Sequence, residues 1–156
     1  MAKKLKAKSN LGVYLSFLGI VLAVVAVTLF FTDFVSGIDG FKVAFGYKNE
    51  ISEGSWSFSL GEVKGSPLAL IAFILICVSV GIGLLLAFIN LKFAKFAMLG
   101  CALMMVVASV FLFTSNLNFA AVNEMSSNPD LASGAILAGS YSAASAVCYI
   151  GGAFLK

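Results

Sequence analysis

Four apolar segments, Leu11–Phe31, Leu68–Ile89, Phe93–Phe113 and Leu131–Leu155, occupy more than half of this 156-residue chain. Each exceeds the run of about 18–20 residues needed to cross a hydrocarbon core about 30 Å thick. The charges between them are partitioned. Lys3, Lys4, Lys6, Lys8, Lys92, Lys95 and Lys156 fall on one side of the spans with no acid among them. Lys42, Lys48 and Lys64 fall on the other, with Asp33, Asp39, Glu50, Glu53, Glu62, Glu124 and Asp130. An excess of lysine marks the cytoplasmic side of a membrane protein. The expected product is a multi-pass protein of the cell membrane with both termini and the second loop cytoplasmic, and with loops 32–66 and 114–130 extracytoplasmic. Its expected class is all-α integral membrane: a compact antiparallel four-helix transmembrane bundle forming one domain, 1–156, with a small β-hairpin in the first extracytoplasmic loop.

The basic start followed by an apolar run also fits the outline of a signal peptide, and small residues at Val35-Ser36-Gly37 offer a cleavage point. The first run of about 21 residues is, however, longer than the roughly 7–15 of a signal core.

Composition narrows the chemistry. The chain is 61% hydrophobic and 11% charged, and all ten basic residues are Lys, with no Arg and no His. Recognition of nucleic acid is disfavoured, because the bidentate guanine contact comes mostly from Arg and no basic stripe is interleaved with aromatics. The first loop, about 35 residues long, is too short to hold a free-standing core without staples. Cys77, Cys101 and Cys148 each lie in a different span, so no disulfide framework is expected in the outer loops. Without His or a CxxC pair there is no zinc ligand set.

No span carries an ionisable residue near its middle, whereas proton-coupled transport and voltage sensing depend on such groups. Asn90, Asn116 and Asn118 lie at span ends, where water is available. No Gly-rich phosphate loop, Ser-His-Asp set or metal pair can be assembled. A non-catalytic protein with no cofactor and no metal is expected.

Small residues mark a seam on each span. The first carries Gly12, Ser16, Gly19, Ala23 and Ala26 at alternating intervals of four and three, which keeps them on one stripe of a helix. The second carries Ser79, Gly83 and Ala87, and the third Ala94, Ala97, Cys101 and Ala108. The fourth carries Ala135, Gly139, Ser142 and Ala146, with Ser145 beside them. Because lipid tails supply no hydrophobic drive for association, membrane helices approach closely through small residues. The same serines, with Tyr141 and Tyr149, are also the groups that would line a permeation path.

Helix starts are legible at Ser66-Pro67, a capping hydroxyl followed by a proline at the first helical position. Asn128-Pro129-Asp130 repeats the device before the fourth span, and Asn10 is a candidate cap for the first. Gly151-Gly152 is expected to weaken the last turn.

In the first loop, Phe41, Val43, Phe45 and Tyr47 alternate with polar or small residues, as do Trp56, Phe58 and Leu60 with Ser55, Ser57 and Ser59. Two period-two runs around a polar turn at Asn49–Gly54 predict an antiparallel hairpin with an aromatic face. Such a hairpin is marginal alone in water, so Phe45, Tyr47, Trp56 and Phe58 are expected against the bundle or against a partner. Four spans, internal termini and a β-forming first loop around Gly54-Ser55-Trp56-Ser57-Phe58-Ser59-Leu60 resemble the layout of the claudin-type tetraspans. That family's loop adds a disulfide and further tryptophans, whereas this loop has one Trp and no cysteine. The likeness is one of architecture.

The functional expectation is a structural or accessory subunit, or an interaction scaffold acting through the hairpin loop, with the lipid bilayer and a protein partner or second copy as partners. The alternative is a passive channel or small transporter component formed by oligomerisation.

Overall fold

The structure, a computed structural model, describes residues 2–53, 56–88 and 93–155, with the backbone alone for 2–10, 49–53, 56–61 and 88. It is mostly helical. Four long apolar helices pack together: α1 (Ala2–Thr28, continued by a 3-10 turn, Leu29–Phe31), α3 (Pro67–Phe88), α4 (Ala94–Phe113) and α6 (Ser133–Leu155). Between α1 and α3 lie strands β1 (Asp33–Val35) and β2 (Ile38–Asp39), the short helix α2 (Gly40–Phe45), and strands β3 (Gly46–Glu53) and β4 (Trp56–Lys64). A further helix, α5 (Ser115–Val122), follows α4. The four long helices are each long and apolar enough to cross a membrane.

The long helices run alternately up and down. α6 packs against α1 and α4, and α3 packs against the same two from the other side, closing a four-membered ring. Small side chains line much of the inside, where Ala23, Ala26, Ala72, Cys101, Ala108, Ala135 and Ala138 are fully shielded, and Ile76, Met105, Leu112 and Tyr149 are buried between them. Other large apolar side chains point outward, with Phe17 61%, Leu85 57%, Leu103 66% and Val147 69% exposed. A water-soluble bundle instead turns polar and charged residues outward on the face opposite its core.

One end of the ring is closed by residues 29–45 together with α5, and the β3–β4 hairpin is rooted there; the opposite end holds the last turns of α3 and α6 and the first turn of α4. We call these the capped end and the lysine end. At the capped end, β1 and β2 form a tight hairpin through Ser36 and Gly37, both with positive φ (24° and 80°). That backbone matches the twist of the strands it joins. The hairpin is tied to the start of α6 by a bridge between Val35 and Leu131 and by the Ala132 amide donating to the Phe34 carbonyl at 2.9 Å.

Several sequence expectations are corrected here. Residues 41–45 are helical, not extended. Phe41 and Phe45 are four apart, a spacing that serves one helix face as well as it serves a strand, and the Asp39 carboxylate caps α2 by accepting from the Lys42 amide at 2.9 Å. The larger hairpin therefore begins at Gly46, and β3 runs through the expected Asn49–Gly54 turn as far as Glu53. Its tip, residues 54 and 55, lies outside the described residues. Asn10 does not stand at a helix start, because α1 already runs from Ala2. Nor does Asn128 cap the last helix: residues 128–132 make contacts with the capped end, α6 starts at Ser133, and its first turn holds no acid. The expected second extracytoplasmic loop, 114–130, contains α5. Gly152 does not fray its helix. It is buried, and a Cβ there would run into the Ser16 hydroxyl, so it lets α6 close on α1.

The Ser66-Pro67 start does appear: α3 begins at Pro67, and the Ser66 hydroxyl accepts from the Ala69 amide at 3.4 Å.

Candidate interaction surface at the capped end

The capped end is assembled from an aromatic cluster and a set of asparagine clamps. Phe30 and Phe34 are fully buried, with ring centroids 4.6 Å apart, and Phe73 of α3 meets Phe30 edge-on at 5.0 Å. Phe41 of α2 packs on Phe73 at 5.2 Å and on Phe31 at 4.8 Å. Phe45 stacks on Phe41 at 5.9 Å and meets Phe73 at 6.0 Å. Aromatic pairs of this kind contribute roughly 0.5–1.5 kcal/mol each beyond the area they bury. Gly40 permits the approach, since a Cβ there would come within 2.9 Å of the Phe34 ring. The cluster thus runs from the core to the surface, where Phe31 is 72% and Phe45 57% exposed.

Charge is sparse beside it. The Lys42 ammonium pairs with the Asp39 carboxylate at 3.1 Å and sits 6.0 Å from the centre of the Tyr47 ring. Partial burial pushes the Asp39 carboxyl up, but the Lys42 amide and ammonium outweigh it and hold the group below its usual value of 3.8.

The root of the β3–β4 hairpin is clamped to α5. The Asn123 carboxamide accepts from the Lys64 amide at 2.9 Å and donates to the Lys64 carbonyl at 3.0 Å. Asn118 accepts from the Ser66 hydroxyl at 2.7 Å and from the Leu68 amide at 3.3 Å, which satisfies a free donor in the first turn of α3. Asn116 donates to the Pro129 carbonyl at 3.0 Å. Beside the clamp, Glu62, Lys64, Val122, Asn123 and Glu124 line an open cleft of about 220 Å³. Asn116 and Asn118 are thus structural ties between segments, not the solvated span ends that the sequence suggests, and Asn90 lies outside the described residues. Three carboxamides within eight residues, each able to donate and accept at once, were the available signal.

From Gly46 the strands pair as Gly46 with Lys64, Tyr47 with Val63 and Lys48 with Glu62, then slip by one residue and continue to Glu53 with Trp56. β4 carries the extra residue of this bulge. Of the expected partner-facing residues, Phe45 belongs to α2 and is exposed, and Tyr47 is half-buried in β3. Trp56 and Phe58 pair by backbone with Glu53 and Ile51, and their side chains lie outside the described residues.

Among the seam residues, Gly12, Ser16, Gly19 and Ala23 are buried on α1, Ser79 and Gly83 on α3, and Cys101 on α4. Gly139, Ser142 and Ala146 are buried on α6, whereas Ala97 is half-buried and Ala87 exposed. Hydroxyls beside these seams link the helices, while that of Ser16 donates to the Gly12 carbonyl of its own helix at 2.8 Å. Ser145 donates to the Gly19 carbonyl at 2.7 Å, Ser109 to the Gly139 carbonyl at 2.9 Å, and Tyr149 reaches across the ring to the Ser79 carbonyl at 3.3 Å. Inter-helix hydrogen bonds of this kind average about 0.6 kcal/mol in a membrane protein. The Ser142 hydroxyl has no hydrogen-bond partner among the described residues. Among the described residues, no three His, Cys, Asp or Glu side chains converge into a metal-holding set.

In comparisons with protein-family models, curated proteins and solved structures, none matches this chain significantly.

Proposed function

We propose that the chain is a non-catalytic, multi-pass protein of the cell membrane, with both termini cytoplasmic and the capped end extracytoplasmic. It serves as a structural or accessory subunit, and its capped end docks a protein partner or a second copy. The observation that carries this reading is the apolar outer face of the bundle, where Phe17, Leu85, Leu103 and Val147, one on each long helix, are all more than half exposed. An apolar girdle on all four long helices needs lipid, because a soluble monomer rarely exposes more than a few hundred Å² of continuous apolar surface. The cap supports the docking role. Its strands are held at the root by Asn123 and Ser66 while Phe31 and Phe45 stay exposed, a combination of a rigid base and an aromatic contact surface that suits recognition.

The test is purification in mild detergent with determination of what co-purifies and in what ratio. A stoichiometric second protein, lost when Phe45 or Tyr47 is replaced by Ser, is the expected result. A homo-oligomeric ring enclosing a water-filled axis would instead assign passive permeation, and a monomer with no associated protein would overturn the scaffold role.

A further inference from the structure

At the lysine end, α4 and α6 part slightly to leave an apolar groove of about 290 Å³, lined by Lys95, Phe96, Leu99, Ala153 and Phe154. Its floor is formed by Ala153, which packs with Met98 and Leu86 in a small core distinct from that of the capped end. Its walls are open: Phe96 is 74% and Phe154 73% exposed. Lys95 stands at the rim, in the first turn of α4, where the helix also presents its free amides. α6 ends at the same level and its terminal carbonyls carry the opposite partial charge, so the full charge of Lys95 decides the sign. In sequence, Lys92 and Lys156 lie within three residues of this groove, and the segments 1–10, 89–95 and 156 contain no Asp or Glu.

We infer that this groove is a binding site for an anionic phospholipid of the cytoplasmic leaflet. The phosphate pairs with Lys95, and one acyl chain lies along Leu99 between Phe96 and Phe154. The inference rests on the membrane reading above. Complementarity selects the occupant. An apolar slot open to the side of the bundle suits an acyl chain, and an acid-free cationic rim suits a phosphate. Basic pockets between membrane helices on the cytoplasmic side bind such headgroups for the same reason. A second protein helix would gain nothing from the lysine, and a soluble anion would gain nothing from the two rings.

The test uses the full chain in detergent, with native mass spectrometry after addition of equal amounts of dioleoyl phosphatidylglycerol and dioleoyl phosphatidylcholine. Wild type is expected to retain phosphatidylglycerol preferentially, and Lys95→Gln to lose about fivefold of that preference, the effect of roughly one lysine near a membrane surface. Lys64→Gln, at the capped end, should leave it unchanged. Phe154→Ala should lower retention of both lipids without altering their ratio. Equal retention of the two lipids by wild type, or an unaltered preference in Lys95→Gln, would overturn the site, as would full competition by free glycerol phosphate. Resistance of the protein to carbonate extraction from cell membranes is measured alongside. Extraction by carbonate would overturn the membrane reading itself, whereas a carbonate-resistant protein with no lipid preference overturns the groove assignment alone.

Discussion

The carboxamide of Asn123 pairs with both backbone groups of Lys64, accepting from its amide at 2.9 Å and donating to its carbonyl at 3.0 Å across 59 residues of chain. One side chain thereby does what a neighbouring strand would do for the last residue of β4, and it fixes the hairpin to α5. Asn123→Ala should cost about 0.5–1.5 kcal/mol, the usual net worth of a hydrogen bond whose partners can turn to water. Asn123→Asp should recover less than half of that, because a carboxylate accepts from the amide but repels the carbonyl. Thermal unfolding in detergent and amide exchange at Lys64 check both. Wild-type protection of that amide in Asn123→Ala would show that the clamp carries no weight.

Gly83 faces Tyr149 so closely that a Cβ would come within 2.5 Å of the phenol oxygen and 2.9 Å of Ile20. Gly83→Ala should displace Tyr149 from the Ser79 carbonyl and lower stability by about 1–3 kcal/mol, the range for overpacking a filled interior. Gly19→Leu, against Cys148 and the Ser145 carbonyl, should do at least as much. Val21, 41% exposed on the opposite face of α1, supplies the control, and Val21→Leu should unfold at the wild-type temperature. Identical unfolding temperatures for all three would mean that the small-residue stripes do not hold the helices together.

Phe30 is the hub of the aromatic cluster, fully buried and in contact with Phe34, Phe41 and Phe73. Phe30→Ala should cost about 3–5 kcal/mol, as expected for a large aromatic in a well-packed site. The loss should appear first as increased protease sensitivity between residues 32 and 48, with α4 and α6 still paired. Uniform loss of all helices together would show that the cap and the bundle unfold as one unit.

Asp39 caps α2 and pairs with Lys42, and its carboxyl is held below the ordinary value of 3.8. A depressed folded-state pKa contributes stability above the unfolded value, and that contribution disappears as pH falls through the lower folded value. α2 should therefore be unaffected by pH above about 4 and should loosen below it, with the Lys42 amide resonance titrating in step. Asp39→Ala should abolish that titration and cost about 0.5–2 kcal/mol, the usual loss on removing a helix cap. A Lys42 amide that titrates unchanged in Asp39→Ala would assign the transition to another group.

Single cysteines introduced at positions 92 and 124, after replacement of Cys77, Cys101 and Cys148, report the orientation. An impermeant thiol reagent added to intact cells should label position 124 and spare position 92, because the lysine excess places the latter in the cytoplasm. Labelling at 92 alone would reverse the topology and move the lipid groove to the other leaflet.

The number and alternating direction of the four long helices are read directly from the sequence, because apolar runs of this length have few ways to satisfy their backbone other than as helices, although α1 begins at Ala2, well ahead of its apolar run. The Ser66-Pro67 start is equally local: a hydroxyl followed by a residue with no amide hydrogen specifies a helix beginning without help from elsewhere. The conformation of residues 40–45 could not be decided that way. Phe41, Val43 and Phe45 satisfy the period of a strand, and a six-residue helix has little stability of its own. Packing chooses it: as a helix, the segment sets Phe41 and Phe45 on Phe73 while Val43 is buried beneath. The roles of Asn118 and Asn123 were hidden for a related reason. A carboxamide can serve water, its own backbone or a distant strand, and only the folded chain brings Ser66 and Lys64 within reach, 52 and 59 residues away. Patterning along the chain determined which segments are helices, whereas contacts between distant segments determined how the end of the bundle is closed.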